Sequence, residues 1–380
     1  MNLSLSDEQE FLREAARGAL SRIKTLEATR EALDGKADAL PDLWPVAKEA
    51  GWPGLLIDEQ HGGAGLDAFD AMLVLGECGR VIAPIALLGH LPASAILNDS
   101  PAGASLLEPL ATGERRAAYL PVSPPDDLLD SWTAEPRSGI TRAAAPTVTG
   151  SGADARVSGE IAFVPDAPGA DVLVGVALLD GKPVGVAIEG NASGVSIEST
   201  MRYDASRSLG HVTLADAPAL VLDAPAESLA SAWHLAQSLI AAESLGSVET
   251  ALDTSVEYAK ERHTFGRAIG SYQAVKHSLT EVLRQLDNGR SLLYYAGWAR
   301  HGAAAEFPLA ASAARSVAGR ALDNAARTMI SVHGGIGATW EHDAPLYFRR
   351  AQLSRRLLGG TAGATDRVAG ELMLQADAAA

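Results

Sequence analysis

The sequence predicts an α+β chain in three parts: an N-terminal α domain, a middle antiparallel β domain and a C-terminal four-helix-bundle domain. Two observations carry this. Apolar residues recur at three- and four-residue spacing in the first and last thirds, whereas the middle third breaks into short β-branched runs between prolines. At 380 residues the chain is long enough for several packed units around a large core. The boundaries fall at 1–115, 116–226 and 227–380.

The first part opens on Ser6 and Gln9, a capping-box pair ahead of the apolar positions Phe11, Leu12 and Ala15. Further helices start near Pro41 and Asp67. Between them lie Gly51-Trp52-Pro53-Gly54-Leu55 and His61-Gly62-Gly63-Ala64-Gly65, whose glycine density reads as a loop.

From about residue 116, Pro121, Pro124, Pro125, Pro136 and Pro146 exclude long helices. Strands are predicted at 159–164, 172–176, 184–188, 195–197 and 212–214. Asp180-Gly181 between two of these runs is a two-residue hairpin turn.

From about Glu227 the composition returns to Ala, Leu, Glu and Arg. Leu245, Val248, Leu252 and Val256 stripe a helix that runs to about Arg262, Gly266 and Gly270 break it, and Gln273 restarts a helical pattern. Arg262, Thr264 and Phe265 therefore sit where a helix ends and the chain turns, a place suited to a binding group. The alanine runs 303–305, 310–314 and 321–326 allow close helix–helix approach.

Composition narrows the function. Thirty-one Lys and Arg against forty-seven Asp and Glu give a formal charge of −16, which opposes nucleic-acid or anionic-membrane binding as a main activity. An anionic ligand then needs a local basic patch. The single cysteine, Cys78, excludes a disulfide framework and cysteine-built metal sites and suits a reducing compartment, so a cytoplasmic location is expected. The first residues show no basic-then-apolar signal pattern, and the most apolar stretch, 81–97, is broken by Pro84, Gly89, His90 and Pro92. No metal site is expected. The phosphate loop, the Gly-x-Ser-x-Gly elbow and His-Glu-x-x-His are all absent. Gly334-Gly335-Ile336-Gly337 lies in a helical region without the preceding strand of a dinucleotide fold.

What remains is a composite: Leu5-Ser6-Asp7-Glu8-Gln9, Leu43-Trp44, Gly51 to Leu55, Gly62 to Gly65, Val157-Ser158-Gly159 with Ala170-Asp171, Arg262-His263-Thr264-Phe265-Gly266, His333 to Gly337, and Trp340-Glu341-His342. In this order the chain resembles the acyl-CoA dehydrogenase family over nearly its whole length. The resemblance implies an FAD enzyme that oxidises the α,β bond of an acyl-CoA thioester and passes electrons to an acceptor flavoprotein. A carboxylate removes the α proton while the β hydride goes to the flavin, and hydrogen bonds stabilise charge developing on the thioester oxygen.

Carried over residue by residue, the resemblance divides. The family's base sits in a Glu-Gly-Thr run, whose match here is Gly359-Gly360-Thr361, or on the helix before the Arg-x-x-Phe-Gly motif, where Ala236 stands. Both carboxylate positions are empty. Glu243 lies on the same helix face as Ala236 but two turns on, about 10 Å along the axis, so it is a weak substitute and a partner for a neighbouring Arg or Lys is the better reading. The groups that a family member lends to its neighbour's flavin are retained as Arg262, Phe265, Gly334, Gly335 and Gly337; Thr264 and Gln273 beside them are further cofactor-binding candidates, Gln273 bonding either cofactor or backbone. Contacts to the chain's own flavin are mostly lost. Leu120-Pro121-Val122-Ser123-Pro124 replaces a Thr-Glu-Pro run, Phe163-Val164-Pro165 replaces a Trp-x-Thr triplet, and Thr361 is kept. His277 and His333 read as structural. The resemblance thus implies a subunit that works with a homologous acyl-CoA dehydrogenase chain, as a dimer or an α2β2 tetramer. Two alternatives stand: a self-sufficient homo-oligomer with a relocated base, and a flavin-free structural or binding homologue.

Overall fold

The computed structural model describes residues 4–36, 39–121, 144–200 and 203–378. Helices α1 (Asp7–Ser21), α2 (Thr25–Leu33), α3 (Trp44–Glu49), α4 (Ala68–Arg80), α5 (Leu87–Asn98) and α6 (Ala104–Ala111) form the first layer. The capping box is formed: the Gln9 N–H donates to Ser6 Oγ at 3.2 Å and the Ser6 N–H to Gln9 Oε1 at 3.1 Å. Asp67 caps α4 in the same way. The glycine-dense stretch is a loop, laid back on residues 54–57 by Ala64 N–H to Gly54 O and Gly65 N–H to Ile57 O. A side chain at Gly63 would stand 2.0 Å from Ile57 O, so only glycine fits that approach.

The middle part is one sheet of β1 (Ala117–Leu120), β2 (Thr147–Thr149), β3 (Arg156–Pro165), β4 (Val172–Leu179), β5 (Lys182–Glu189), β6 (Val195–Ser199), β7 (Leu209–Pro218) and β8 (Leu220–Leu222), ordered β6-β7-β3-β2-β4-β5-β8 with β1 also on β4. Asp180 and Gly181 take φ of 51° and 76°, the left-handed pair that a two-residue hairpin requires. The sheet is mixed where a purely antiparallel one was expected: β1 and β2 both run parallel to β4. The run at 120–124 reaches beyond the described residues at Val122. Strand-sized apolar runs give no direction, and parallel pairing follows from how the chain arrives from the helical layer.

The last part holds α7 (Ala226–Glu261), a two-strand hairpin of β9 (His263–Thr264) and β10 (Arg267–Ala268), then α8 (Gln273–Gly302), α9 (Phe307–His333), α10 (Ala344–Ser354) and α11 (Gly360–Ala378). Helix α9 packs against α7, α8 and α11, making the four-helix bundle, and its contact face is Ala310, Ala311, Ala314, Ala318, Ala321 and Ala325. Small residues also bring α4 onto α7: a side chain at Gly79 would meet Glu243 O at 1.9 Å and one at Gly246 would meet Gly76 O at 1.9 Å. Ser247 Oγ donates to Gly79 O across that contact at 2.7 Å.

A buried ionic cluster ties the sheet to the bundle. Arg350 of α10 donates to Asp204 Oδ2 at 2.5 Å, to Glu243 Oε1 at 2.6 Å and to Ser206 Oγ at 2.7 Å. Arg207, in the loop before β7, pairs with the other Glu243 oxygen. Asp204, Arg207, Glu243 and Arg350 are all buried. Charges this deep persist because each is paired and hydrogen-bonded.

Candidate functional site

All but Thr361 of the residues expected to hold a cofactor lie at one end of the bundle. Helix α7 ends at Arg262, whose extended backbone (φ −75°, ψ 122°) turns the chain into the hairpin. Phe265 stands at the hairpin tip in the left-handed region, φ 50°, and is 97% exposed. Tyr272 Oη donates to Thr264 O at 3.1 Å, and the Arg267 guanidinium lies 4.0 Å from the Tyr272 ring centroid, so the hairpin is braced against the start of α8, where Gln273 is exposed. One turn before Arg262, the Tyr258 ring packs 4.3 Å from His333, the last residue of α9. The Gly334–Gly337 turn therefore begins beside the end of α7. Gly334 has φ 64° and Gly335 has open space around it, whereas a side chain at Gly337 would meet Ile330 O at 2.7 Å. Arg262, with no side-chain partner among the described residues, presents a cation outward beside the bare, exposed backbone at 334–335.

His333 is structural: it is buried and its Nδ1–H donates to Met329 O at 2.7 Å. His342 stacks on it at 4.0 Å and accepts from the Ala344 N–H through Nδ1 at 3.0 Å. His277 is exposed at the start of α8. Near Trp340-Glu341-His342, Arg349 lies between the Tyr203 and Trp340 rings at 4.2 and 4.9 Å, and the adjacent Arg350 belongs to the buried cluster.

The two carboxylate positions lie side by side in a second place. Ala236 is wholly buried on α7, and its neighbour Gln237 donates through Nε2 to Leu358 O at 2.6 Å, next to Gly359. Leu358, Gly359 and Gly360 take φ of 51°, 78° and 73°, a left-handed run that re-aims the chain between α10 and α11. Arg315 of α9 reaches under this run and donates to Ser354 O and Leu357 O. The space left beside Gly359 is about 20 Å³, lined by Trp233, Gln237, Ser312, Leu358, Gly363, Ala364 and Arg367, enough for one water. No carboxylate lines it. Glu243 cannot serve, because both its oxygens are held by Arg207 and Arg350.

On the sheet side, the expected contacts to the chain's own flavin are disarmed. Pro165 offers no N–H, and Phe163 is twisted to φ 54° beside a register shift in β3. The Thr361 hydroxyl is turned inward, donating to Arg355 O at 3.3 Å and packing on Gly319. The residues present thus fit a flavin at the hairpin better than one seated on this chain's own sheet.

Three residues escaped the sequence reading. Gln237 looks like any polar helix residue. Arg315 carried a signal, a lone cation in the small-residue run 310–319. Asp166 follows Pro165 with φ 61°, buried, its Oδ2 accepting from the Gly89 N–H at 2.9 Å; burial pushes its carboxyl up to about 6 against the pull of that bond and of Arg207.

A helical layer, a middle sheet and a helical bundle, with an Arg–Phe hairpin beside a glycine turn at one bundle end, define a class, and the chain belongs to the acyl-CoA dehydrogenase family. Residues 6–122 match the model of the acyl-CoA dehydrogenase N-terminal domain and residues 231–373 that of the C-terminal domain. The chain is similar to acyl-CoA dehydrogenase IpdE2 of Mycolicibacterium smegmatis, 30% identical over 93% of this chain and 96% of that one. It is also similar to acyl-CoA dehydrogenase FadE34 of Mycobacterium tuberculosis, 31% identical over 95% of this chain, and spans about half (47%) of that relative's length. Among solved structures, a variant of the Tcur3481-Tcur3483 steroid ACAD superposes with a TM-score of 0.86 at 28% identity, covering 99% of this chain and 100% of that one. A chain of the ChsE4-ChsE5 complex from Mycobacterium tuberculosis has the same fold, with a TM-score of 0.83 at 23% identity over 98% and 99%.

Proposed function

We propose that the chain is one subunit of a heteromeric acyl-CoA dehydrogenase-type flavoenzyme, lending its hairpin to the FAD of a homologous subunit that carries the catalytic carboxylate. The observation that carries this is the contrast between the two places. Arg262, Phe265, Gly334 and Gly335 face outward together, while the small space beside Gly359, near the Gln237–Leu358 bond that follows buried Ala236, has no carboxylate in its lining.

In this reading FAD, when bound, takes the reducing equivalent from the β carbon of the acyl-CoA thioester and passes it to an acceptor flavoprotein. Arg262 pairs with the cofactor's pyrophosphate, where a planar guanidinium matches two phosphate oxygens. Phe265 covers an apolar part of the cofactor, and the backbone at 334–335 approaches it closely because no side chain intervenes. Thr264 and Gln273 flank this grip. The similarity to the two-component Tcur3481-Tcur3483 steroid ACAD favours a homologous partner over a second identical chain at this contact.

The test is to purify the chain alone and together with a Glu-bearing homologous subunit. The paired protein is expected to be yellow, with one flavin per two chains, and to bleach with an acyl-CoA. A chain that is yellow alone and bleaches with acyl-CoA overturns the proposal in favour of a homo-oligomer with a relocated base.

A further inference from the structure

A stack of three rings closes the glycine turn of the grip. Tyr258, near the end of α7, lies 4.3 Å from His333, and His333 lies 4.0 Å from His342, centroid to centroid. Residues 334–341 leave from one histidine and return to the other, so the imidazole pair clips together the ends of the loop that carries Gly334 and Gly335. The loop folds closely onto this clip, because a side chain at Gly337 would stand 2.9 Å from His333 Cβ.

The hydrogen bonds fix opposite tautomers in the two rings. A carbonyl only accepts, so His333 carries its proton on Nδ1, which donates to Met329 O at 2.7 Å, and its Nε2 is bare. A backbone N–H only donates, so His342 Nδ1 is bare where it accepts from Ala344 at 3.0 Å, and the proton of this ring is on Nε2. Both rings are neutral in this arrangement. A further proton on His342 must go to Nδ1, and it takes the acceptor away from the Ala344 N–H, wholly buried at the first position of α10. A further proton on His333 goes to Nε2, breaks no bond and sets a charge against the neighbouring ring.

Little around the pair favours a charge on it. Asp343, the next residue, is already paired with Arg30 of α2, so its attraction for an imidazolium is opposed by the guanidinium beside it. The other titratable groups facing the clip are Tyr258 of α7 and Tyr347 of α10, whose hydroxyl donates to Arg80 O, while Glu341 is exposed to water. Burial, and then His333 beside it, hold His342 below the ordinary histidine value of 6.5.

We propose that the His333–His342 pair is an acid-released clip: neutral, it holds the 334–337 turn beside the end of α7, and protonation of His342 lets the turn open. Because the folded value of His342 is depressed, the contribution of the clip is fully present above the unfolded value of 6.5 and is lost as pH falls through the folded one. Loosening of the cofactor grip by acid is the consequence, and that step alone rests on the proposed function.

The tautomers and the opening are both read in the chain by itself. Nitrogen NMR at neutral pH is expected to show Nδ1–H on His333 and Nε2–H on His342. Protection of the Gly334 and Gly337 amides from hydrogen exchange, corrected for the intrinsic rate, is expected to fall severalfold between about pH 7.5 and about pH 5. His342→Asn offers an oxygen to the Ala344 N–H and cannot ionise, so it should keep that protection at both. In the complex with a homologous subunit, the native chain should release flavin faster at the lower pH and the His342→Asn chain should not. Unchanged protection in the native chain, the same acid loss in His342→Asn, or Nδ1–H on His342 overturns the proposal. A turn that opens with acid while flavin retention stays constant would keep the clip and count against the grip, so the two readings fail separately.

Discussion

The Gln237 side-chain amide donates to the Leu358 carbonyl at 2.6 Å, and this bond joins the two places where the family keeps its base. Leu358 is buried, so without Gln237 its carbonyl loses its side-chain donor. Gln237→Leu keeps the volume and strands the carbonyl, at a cost of about 1–3 kcal/mol. Urea unfolding should show that loss, while Gln237→Glu, which replaces the donor with an acceptor, should cost more.

Restoring the carboxylate should fail in the chain alone. Gly359 sits at φ 78° after Leu358 at φ 51°, so Gly359→Glu forces a side-chain-bearing residue into the left-handed region at about 1–2 kcal/mol. The new side chain would have to enter a space of about 20 Å³ beside the buried Ala236. A lower melting temperature and no acyl-CoA-dependent bleaching are expected; a gain of activity would show that the missing base was the sole defect.

Glu243 is shared by two guanidiniums, and its removal leaves the buried charges of Arg207 and Arg350 with Asp204 as the one carboxylate of the cluster. Glu243→Ala is therefore expected to destabilise by about 3–5 kcal/mol. Loss of activity in a complex should follow loss of fold, seen as matching falls in soluble yield and in activity per volume, with activity per folded complex unchanged. A drop in activity at full stability would return Glu243 to the list of bases.

The fold was legible because its signals are periodic. Ser6 with Gln9, the stripe from Leu245 to Val256 and the Asp180-Gly181 turn each act within a few residues. The nearness of the motif at 262–266 to the one at 334–337 was not legible, since these local motifs are brought together across the chain, where Tyr258 packs on His333. Strand direction was not legible either, because β1 and β2 owe their parallel pairing with β4 to the path between them. Contacts made across the chain were equally silent: nothing near Gln237 announces Leu358, 121 residues away, and nothing near Thr361 says that its hydroxyl faces Arg355 O.

Asp166 should make stability fall as pH rises. Its carboxyl is held at about 6 in the folded chain against 3.8 when unfolded, so the folded state keeps its proton longer. The contribution is fully present below about pH 4 and is lost as pH climbs through 6, a swing of about 3 kcal/mol. Asp166→Asn keeps an acceptor for the Gly89 N–H and removes the ionisation. Its advantage over the native chain should grow from near zero at pH 4 to a plateau above pH 7 in paired urea titrations, and a constant difference across that range would refute the assignment.

The proposed lending role of the hairpin is separable from folding because of where Phe265 stands. A side chain that is 97% exposed contributes little to the isolated chain, so Phe265→Ala should leave its unfolding midpoint within about 0.5 kcal/mol of native. Arg262→Ala should behave alike, its guanidinium having no partner among the described residues. In the complex with a homologous subunit the same two variants should lose flavin on dialysis. Arg262→Lys should restore retention only partly, since an ammonium cannot meet two phosphate oxygens in the plane that a guanidinium does. Loss at Arg262 should also depend on salt, while loss at Phe265 should not, because one contact is electrostatic and the other apolar. Full flavin retention by both alanine variants in the complex would place the grip elsewhere and take the proposed subunit role with it.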